Sequence, residues 1–103
     1  MDLDQIDWIK NKKEEDRSVI LDVRTEEEYN FGHIKKSILI DIKKPDSFMK
    51  AILKLKKNNS YYVYCRSGVR SEMACNLMKA NGFLKTYNLV GGFLKWKGEI
   101  ETI

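Results

Sequence analysis

The chain has 103 residues, of which 43% are hydrophobic and 33% are charged, and a net charge of +4, which suits one globular domain with a single core. No run of about 18 apolar residues could cross a bilayer, and the first residues, MDLDQIDWIK, lack the basic and apolar segments of a signal peptide. The two cysteines, Cys65 and Cys75, form no CxxC pair, which argues against a disulfide scaffold or a zinc cluster. We therefore expect a single cytoplasmic domain over residues 1–103, without a membrane partner and with reduced thiols.

Strand-like and helix-like patterns alternate along the chain, which predicts an α/β domain with a mainly parallel sheet. Four strands are predicted: VILDV at 19–23, SILI at 37–40, YYVY at 61–64 and TYNL at 86–89. Gly91 and Gly92 are expected to form a turn into a last short helix that carries Phe93 and Trp96.

Capping residues mark the first two helices. Asp4 can cap a helix that carries Ile6 and Ile9, while Thr25 and Glu28 have the spacing of a capping box.

Two longer helices follow. One is opened by Pro45, Asp46 and Ser47 and is broken by Asn58 and Asn59. Its spacing places apolar groups on one side, namely Met49, Ile52 and Leu53. The other covers roughly residues 70–81, and its spacing places on one face Met73, Ala74, Leu77 and Met78.

The stretch YYVYCRSGVRSEMA puts Cys65 at the C-terminal end of a predicted strand, on the loop that enters the next helix. Open parallel sheets bind their ligands at this edge. The N–H groups from Arg66 to Ser71 can converge above Cys65, and Gly68 permits the tight backbone path that this requires. Together with the helix N-terminus, these dipoles predict a lowered thiol pKa and a thiolate near neutral pH.

Two chemistries compete for this loop. Cysteine phosphatases use the spacing C-x5-R, whereas here Arg70 follows Cys65 as C-x4-R and Ser71 stands where the phosphatase arginine belongs. The shorter loop makes a smaller cradle, which is better sized to one extra sulfur atom on Cys65 than to a phosphate.

Three separate blocks resemble the rhodanese-like sulfurtransferases. CRSGVR (65–70) is similar to their active loop, ILDVRTEEEYNFGHI (20–34) to their N-terminal signature, and NLVGGFLKW (88–96) to their C-terminal block. The resemblance implies a single rhodanese-like domain with a central, mainly parallel sheet flanked by helices on both faces.

The resemblance also implies a ping-pong mechanism through Cys65. Its thiolate takes the outer sulfur of a small anionic donor such as thiosulfate, and the persulfide passes that sulfur to cyanide, another thiophilic acceptor or a protein acceptor. The anion would be bound by the loop residues Arg66, Ser67, Gly68, Val69, Arg70 and Ser71, with the two arginines on the sulfonate oxygens. No metal or organic cofactor is expected.

Arginine use supports this assignment. The chain has fifteen lysines and four arginines, and three of the arginines, Arg24, Arg66 and Arg70, lie in the motif blocks. For Arg24 we favour a structural ion pair with an acidic neighbour.

Other conspicuous residues have structural interpretations. We favour structural hydrogen bonding for Asp22 and for His33, and a passive thiol off the apolar stripe for Cys75. Four aromatic residues are interpreted as packing groups with polar tips: Tyr61, Tyr62, Tyr64 and Trp96.

The segment from Lys35 to Lys57 contains eight lysines, and we favour a solvated surface over a patch for an acidic partner or nucleic acid. Three classes of function remain open at this point. They are a sulfurtransferase, which is favoured, a non-enzymatic rhodanese-like interaction or sulfur-relay module, and a phosphatase or arsenate reductase.

Overall fold

The computed structural model of the chain describes residues 1–103 and contains two sheets. In chain order the elements are β1 (Asp2–Leu3), α1 (Gln5–Glu14), β2 (Ser18–Asp22), α2 (Glu26–Phe31), β3 (His33–Ile34), β4 (Ile38–Leu39), α3 (Pro45–Leu53), β5 (Ser60–Tyr64), α4 (Val69–Ala80), β6 (Thr86–Leu89), a 3-10 helix (Phe93–Lys95) and β7 (Ile100–Glu101). None of the helices is both long and apolar enough to cross a membrane.

The main sheet has five parallel strands in the order β1-β6-β5-β2-β4, which confirms the predicted parallel α/β architecture. The central strand is β5, and all five of its residues are buried. Asp22 at the end of β2 lies beside Tyr64 at the end of β5, and Asn88 of β6 lies beside Val63. The carboxyl ends of three strands therefore meet at one edge, and Cys65 is the residue that follows β5 there.

Alternation along β5 divides the core between the two faces of the sheet. Tyr61, Val63 and Cys65 pack with the apolar side chains of α3 and α4. Tyr62 and Tyr64 belong to a second cluster on the other face, which includes Trp8 of α1. Helices thus cover both faces, and β5 is buried on both of them.

The predicted helices form, but some of their buried faces differ from the prediction. In α1 the fully buried residue is Trp8, whereas Ile6 is exposed. In α4 the buried residues are Ser71, Ala74, Cys75 and Met78, whereas the predicted Met73 and Leu77 are exposed. The buried set still follows the helical period, but it begins with a polar serine that faces the site. Hydrophobicity alone therefore identified Ala74 and Met78 correctly and Met73 and Leu77 wrongly. Cys75 is one of these buried residues, so the prediction that it lies off the apolar stripe is wrong.

Two helix features were predicted with mixed success. The capping box of Thr25 and Glu28 is confirmed with both of its hydrogen bonds, and Asp4 caps α1. However, α3 ends at Leu53, before the predicted break at Asn58 and Asn59, and the side chain of Leu53 is exposed.

Three short strands were missed in the sequence. Each of β1, β3 and β7 has two residues, which is too short to show the alternation that identifies a strand. β1 extends the main sheet beside β6, and β7 pairs with β3 in a separate antiparallel sheet.

Candidate active site

The Cys65 sulfur is buried in a loop that wraps around it. Its Sγ atom accepts a hydrogen bond of 3.1 Å from the backbone N–H of Gly68 and one of 3.3 Å from the hydroxyl of Ser71. Burial opposes the charged form, but the hydrogen bonds from Ser71, Gly68 and Ser67 outweigh it and lower the pKa of the Cys65 thiol. The sulfur environment thus favours the thiolate, as the sequence predicted.

Two glycines hold the loop in this shape. Gly68 has a φ of +111° at the start of α4, which is a left-handed conformation that favours glycine. Gly92 has a φ of +55° and lies against the loop, where a Cβ atom would be 2.5 Å from the carbonyl oxygen of Arg66. The next two N–H groups, of Phe93 and Leu94, donate to the carbonyls of Cys65 and Arg66 at 2.9 and 3.0 Å. The glycine turn therefore fixes the first half of the loop.

Arg70 is held at the loop by an acidic partner. Its Nη1 and Nη2 atoms donate to the two carboxylate oxygens of Glu28 at 2.7 and 2.9 Å. The hydrogen bonds from Arg70 hold the pKa of Glu28 at about 2, and the same pairing raises the pKa of Arg70. Glu28 also accepts from the backbone N–H of Thr25, so the capping box of α2 anchors the arginine.

The loop residues differ in exposure. Arg66, Ser67 and Val69 are exposed, Gly68 and Arg70 are half-buried, and Ser71 is buried beneath the sulfur. Arg66 forms no ion pair, unlike Arg70. The structure thus brings all the predicted site residues into one loop around Cys65 and leaves one arginine uncommitted at its surface.

A buried polar network supports the edge of the sheet beside the loop. Arg24 donates to the carboxylate of Asp22 through Nε at 2.9 Å and Nη2 at 2.6 Å, and to the carbonyl of Gly32 at 2.7 Å. The hydroxyl of Tyr64 donates to Asp22 at 2.5 Å. Arg24 also lies over the ring of Phe93, 4.4 Å from its centre. The structural interpretations of Asp22 and Arg24 agree with this geometry, because neither group reaches the surface.

His33 and Cys75 also have structural surroundings. The Nδ1 atom of His33 lies 2.8 Å from the carbonyl oxygen of Tyr29, and the two rings stack with centres 3.7 Å apart. Cys75 is buried in the core, and this burial raises the pKa of its thiol to about 11. The two cysteines therefore have opposite electrostatic environments, and only Cys65 suits a nucleophile.

Sequence reasoning missed two partners of the loop. Glu28 was identified only as a capping residue, and Asn88 only as part of the C-terminal block. Asn88 is buried, and its side-chain oxygen lies 2.5 Å from the hydroxyl oxygen of Ser71. A buried asparagine in an apolar strand such as TYNL was the one available signal, because such a residue needs hydrogen-bond partners.

Comparisons with known proteins show which family the chain resembles. The family model of the rhodanese-like domain matches residues 5–99. The chain is 39% identical over 97 residues to "Putative sulfur carrier protein YrkF" of Bacillus subtilis, covering 93% of this chain and 51% of that protein. It is 36% identical over 94 residues to "Putative sulfurtransferase YtwF" of Bacillus subtilis, covering 90% of this chain and 87% of that protein.

Another relative carries a different name. The chain is 33% identical over 99 residues to the tRNA uridine(34) hydroxylase of Pelagibacter ubique, covering 96% of this chain and 33% of that protein. The chain thus spans about half the length of YrkF and about a third of the hydroxylase.

A solved structure confirms the fold expected from the resemblance. The crystal structure of a rhodanese-like domain protein from Staphylococcus aureus superimposes with a TM-score of 0.81 and 34% sequence identity. The match covers 99% of this chain and 97% of that one.

Proposed function

The chain belongs to the rhodanese-like domain family, and we propose that it is a sulfurtransferase that carries sulfane sulfur as a persulfide on Cys65. The donor is a small anionic sulfur compound of the thiosulfate type, and the acceptor is cyanide or another thiophile. One observation carries the proposal: the Cys65 sulfur lies in a six-residue loop and accepts hydrogen bonds from the Gly68 N–H and the Ser71 hydroxyl.

The chemistry needs a thiolate and an anion site, and the loop is suited to both. The Cys65 thiolate attacks the outer sulfur of thiosulfate, the S–S bond of the donor breaks, and sulfite leaves with the bonding electrons. The new persulfide carries its negative charge on the outer sulfur, where loop N–H groups stabilise it. Arg66 and Arg70 are the expected contacts for the sulfonate oxygens. Because the transfer is a displacement at sulfur, we expect no metal or organic cofactor.

Arg70 remains suited to this role although it is paired with Glu28. Its guanidinium has five N–H donors, and the two hydrogen bonds to Glu28 leave three of them available. Glu28 thus orients Arg70 and leaves N–H donors available for an anion. Arg66, which is exposed and unpaired, would contribute a mobile positive charge at the mouth of the site.

A second candidate function is sulfur relay to a protein acceptor. Its support is the apolar rim, which we define as the exposed side chains of Phe31, Val69 and Leu94 around the loop. Phe31 and Leu94 line a surface depression together with Arg66. Such a rim contributes nothing to the binding of thiosulfate or cyanide, whereas it could contact an apolar segment of a protein that bears the accepting thiol.

The experiment that tests the proposal is sulfur loading followed by intact mass. We incubate the protein with thiosulfate, remove the small molecules and expect one added sulfur atom, which cyanide then removes. Cys65→Ser should add no sulfur, because a hydroxyl cannot form a persulfide, while Cys75→Ser should load as the wild type does. If neither thiosulfate nor any other sulfane donor loads wild-type Cys65, the proposal is wrong.

Turnover separates the two candidate functions. A sulfurtransferase forms thiocyanate from thiosulfate and cyanide over many cycles. A relay module loads once and transfers its sulfur efficiently only to a protein thiol, so multiple turnover with cyanide favours the first function.

A further inference from the structure

The hydroxyl of Ser71 lies between two acceptors. Its Oγ atom is 2.5 Å from the side-chain oxygen of Asn88 and 3.3 Å from the sulfur of Cys65. A serine hydroxyl has one proton, so it can donate to only one of them at a time.

The orientation of the Asn88 amide decides which of its atoms faces Ser71. Its Nδ2 atom donates to a carboxylate oxygen of Asp2 at 3.1 Å and to the carbonyl of Gly68 at 3.2 Å. Both partners only accept, so the reversed amide would place an oxygen against two oxygens. The side-chain oxygen of Asn88 must therefore face Ser71 and compete for its proton.

We propose that Asn88 is a positioning residue for Cys65. The side-chain oxygen of Asn88 accepts the hydrogen bond of the Ser71 hydroxyl while the Cys65 sulfur is uncharged, and it loses this hydrogen bond when the sulfur is a thiolate. In the thiol state Ser71 donates to Asn88 and presents a lone pair to the S–H group. In the thiolate state the hydroxyl turns to the sulfur, and Asn88 loses its donor. Asn88 thus opposes ionisation, whereas Ser71 favours it.

The same switch accompanies sulfur transfer, a consequence that rests on the proposed function. When the thiolate attacks the donor sulfur, Sγ forms the new S–S bond and becomes uncharged, and sulfite leaves with the electrons of the broken bond. The negative charge then lies on the outer sulfur. The Ser71 hydroxyl returns to Asn88, and this hydrogen bond stabilises the loaded state relative to the free thiolate.

Charged groups around the sulfur also influence its ionisation. They are Arg66 in the loop, Arg70 with its partner Glu28, the Asp22–Arg24 pair beside β5, and Asp2, which touches Asn88. A direct test must leave these charged residues unchanged, so only the uncharged residues Asn88 and Ser71 are substituted.

The test is a double-mutant cycle read by alkylation of Cys65. Iodoacetamide modification is followed against pH by mass spectrometry of the Cys65 peptide in a Cys75→Ala background. Asn88→Leu keeps the side-chain shape but removes the acceptor. It should lower the pH midpoint of Cys65 alkylation by about one pH unit, which corresponds to the net free energy of one hydrogen bond. Ser71→Ala should raise the midpoint.

The double variant distinguishes positioning from a structural role. If Asn88 acts through Ser71, the variant Ser71→Ala/Asn88→Leu should titrate like Ser71→Ala alone. A midpoint that rises in Asn88→Leu, or that shifts equally with and without Ser71, overturns the proposal. Should Asn88→Leu fail to fold, Asn88→Ala takes its place in the same cycle, because it also removes the side-chain acceptor.

Alkylation does not depend on sulfur transfer, so the two proposals fail separately. If thiosulfate does not load Cys65 but the cycle behaves as expected, the proposed function is wrong and the role of Asn88 stands. If loading succeeds but the cycle shows no coupling, the role of Asn88 is wrong.

Discussion

The guanidinium of Arg70 and the carboxylate of Glu28 face each other as two parallel forks beside Cys65, with N–O distances of 2.7 and 2.9 Å. This geometry fixes the direction of the arginine before any donor binds. The three N–H donors that Glu28 leaves available then lie in a fixed plane and can form two hydrogen bonds with one anion, which a lysine ammonium cannot reproduce.

We expect Arg70→Ala to lower kcat/KM for thiosulfate by roughly 10- to 1000-fold, which corresponds to one or two charge-assisted hydrogen bonds. Arg70→Lys should recover only part of the activity, because it keeps the charge and loses the fork. Stopped-flow measurement of persulfide formation locates the defect in the donor half-reaction. If Arg70→Ala forms the persulfide at the wild-type rate, Arg70 does not bind the donor, and the matched variant Arg66→Ala should then carry the defect.

The ion pair also predicts how stability depends on pH. The pKa of Glu28 is about 2 in the folded protein, against an ordinary value of 4.5, so its stabilisation is complete above pH 4.5 and is lost as the pH falls toward about 2. Glu28→Gln should lower the free energy of unfolding at neutral pH by on the order of 1 to 2 kcal/mol, after allowance for solvent screening of the half-buried pair.

Urea unfolding of both proteins across this pH range checks the prediction. The difference between wild type and Glu28→Gln should shrink as the pH falls, because the wild-type carboxylate becomes protonated. Glu27→Gln, at the exposed neighbouring position, is the control and should show a much smaller difference. A difference that is constant with pH would mean that Glu28 acts through packing and not through its charge.

The sequence predicted the position of the site better than it predicted the residues that contact the site. Cys65, Gly68 and Ser71 lie within one short segment, so strand, loop and helix patterns were enough to place them. The partners are remote in the chain: Glu28 is 42 residues from Arg70, Asp22 is 42 residues from Tyr64, and Asn88 is 17 residues from Ser71. These contacts depend on the order of the strands in the sheet, which periodicity within one element cannot reveal.

Polar residues on buried faces account for most remaining differences. Ser71 begins the buried face of α4 because it contacts the sulfur. Because this first buried residue is polar, the predicted stripe included the exposed Met73 and Leu77 beside the buried Ala74 and Met78. A helix whose inner face serves a site does not show its strongest hydrophobic signal on that face.

Gly92→Ala should disturb the loop selectively. A Cβ atom there would lie 2.5 Å from the carbonyl oxygen of Arg66 and 2.6 Å from that of Cys65, so the loop backbone must move. Displacement of a reacting group by about 1 Å can reduce the rate by roughly 100-fold, and we expect a loss of persulfide formation of that size.

Gly82→Ala is the matched control for this prediction. Gly82 also has a positive φ, +93°, but its added Cβ would meet only the flexible side chain of Lys57. Both variants should lose stability from the backbone conformation, by about 1 to 2 kcal/mol, whereas only Gly92→Ala should lose sulfur loading. Equal activity of the two variants would show that Gly92 does not shape the site.

Tyr64→Phe should destabilise the protein, because its hydroxyl joins several buried groups. The hydroxyl donates to Asp22 at 2.5 Å and accepts from the backbone N–H of Ile34 at 3.0 Å. Its removal leaves these groups short of a partner, which costs about 1 to 3 kcal/mol in the free energy of unfolding. Tyr61→Phe removes a single hydrogen bond to the carbonyl of Lys56 and should cost less, about 1 kcal/mol, in the same urea experiment. Equal costs would contradict the central role of Tyr64 in the network.

The size of the loop predicts that the protein does not hydrolyse aryl phosphates. A phosphatase arginine would stand at position 71, where the chain has Ser71 buried beneath the sulfur, and Arg70 one position earlier is oriented by Glu28. We therefore expect p-nitrophenyl phosphate turnover in the wild type to equal that of Cys65→Ser, measured on a preparation that loads sulfur from thiosulfate. Phosphatase activity well above this background and dependent on Cys65 would show that the loop admits a phosphoryl group, and the assignment of Cys65 to sulfur chemistry would then be wrong.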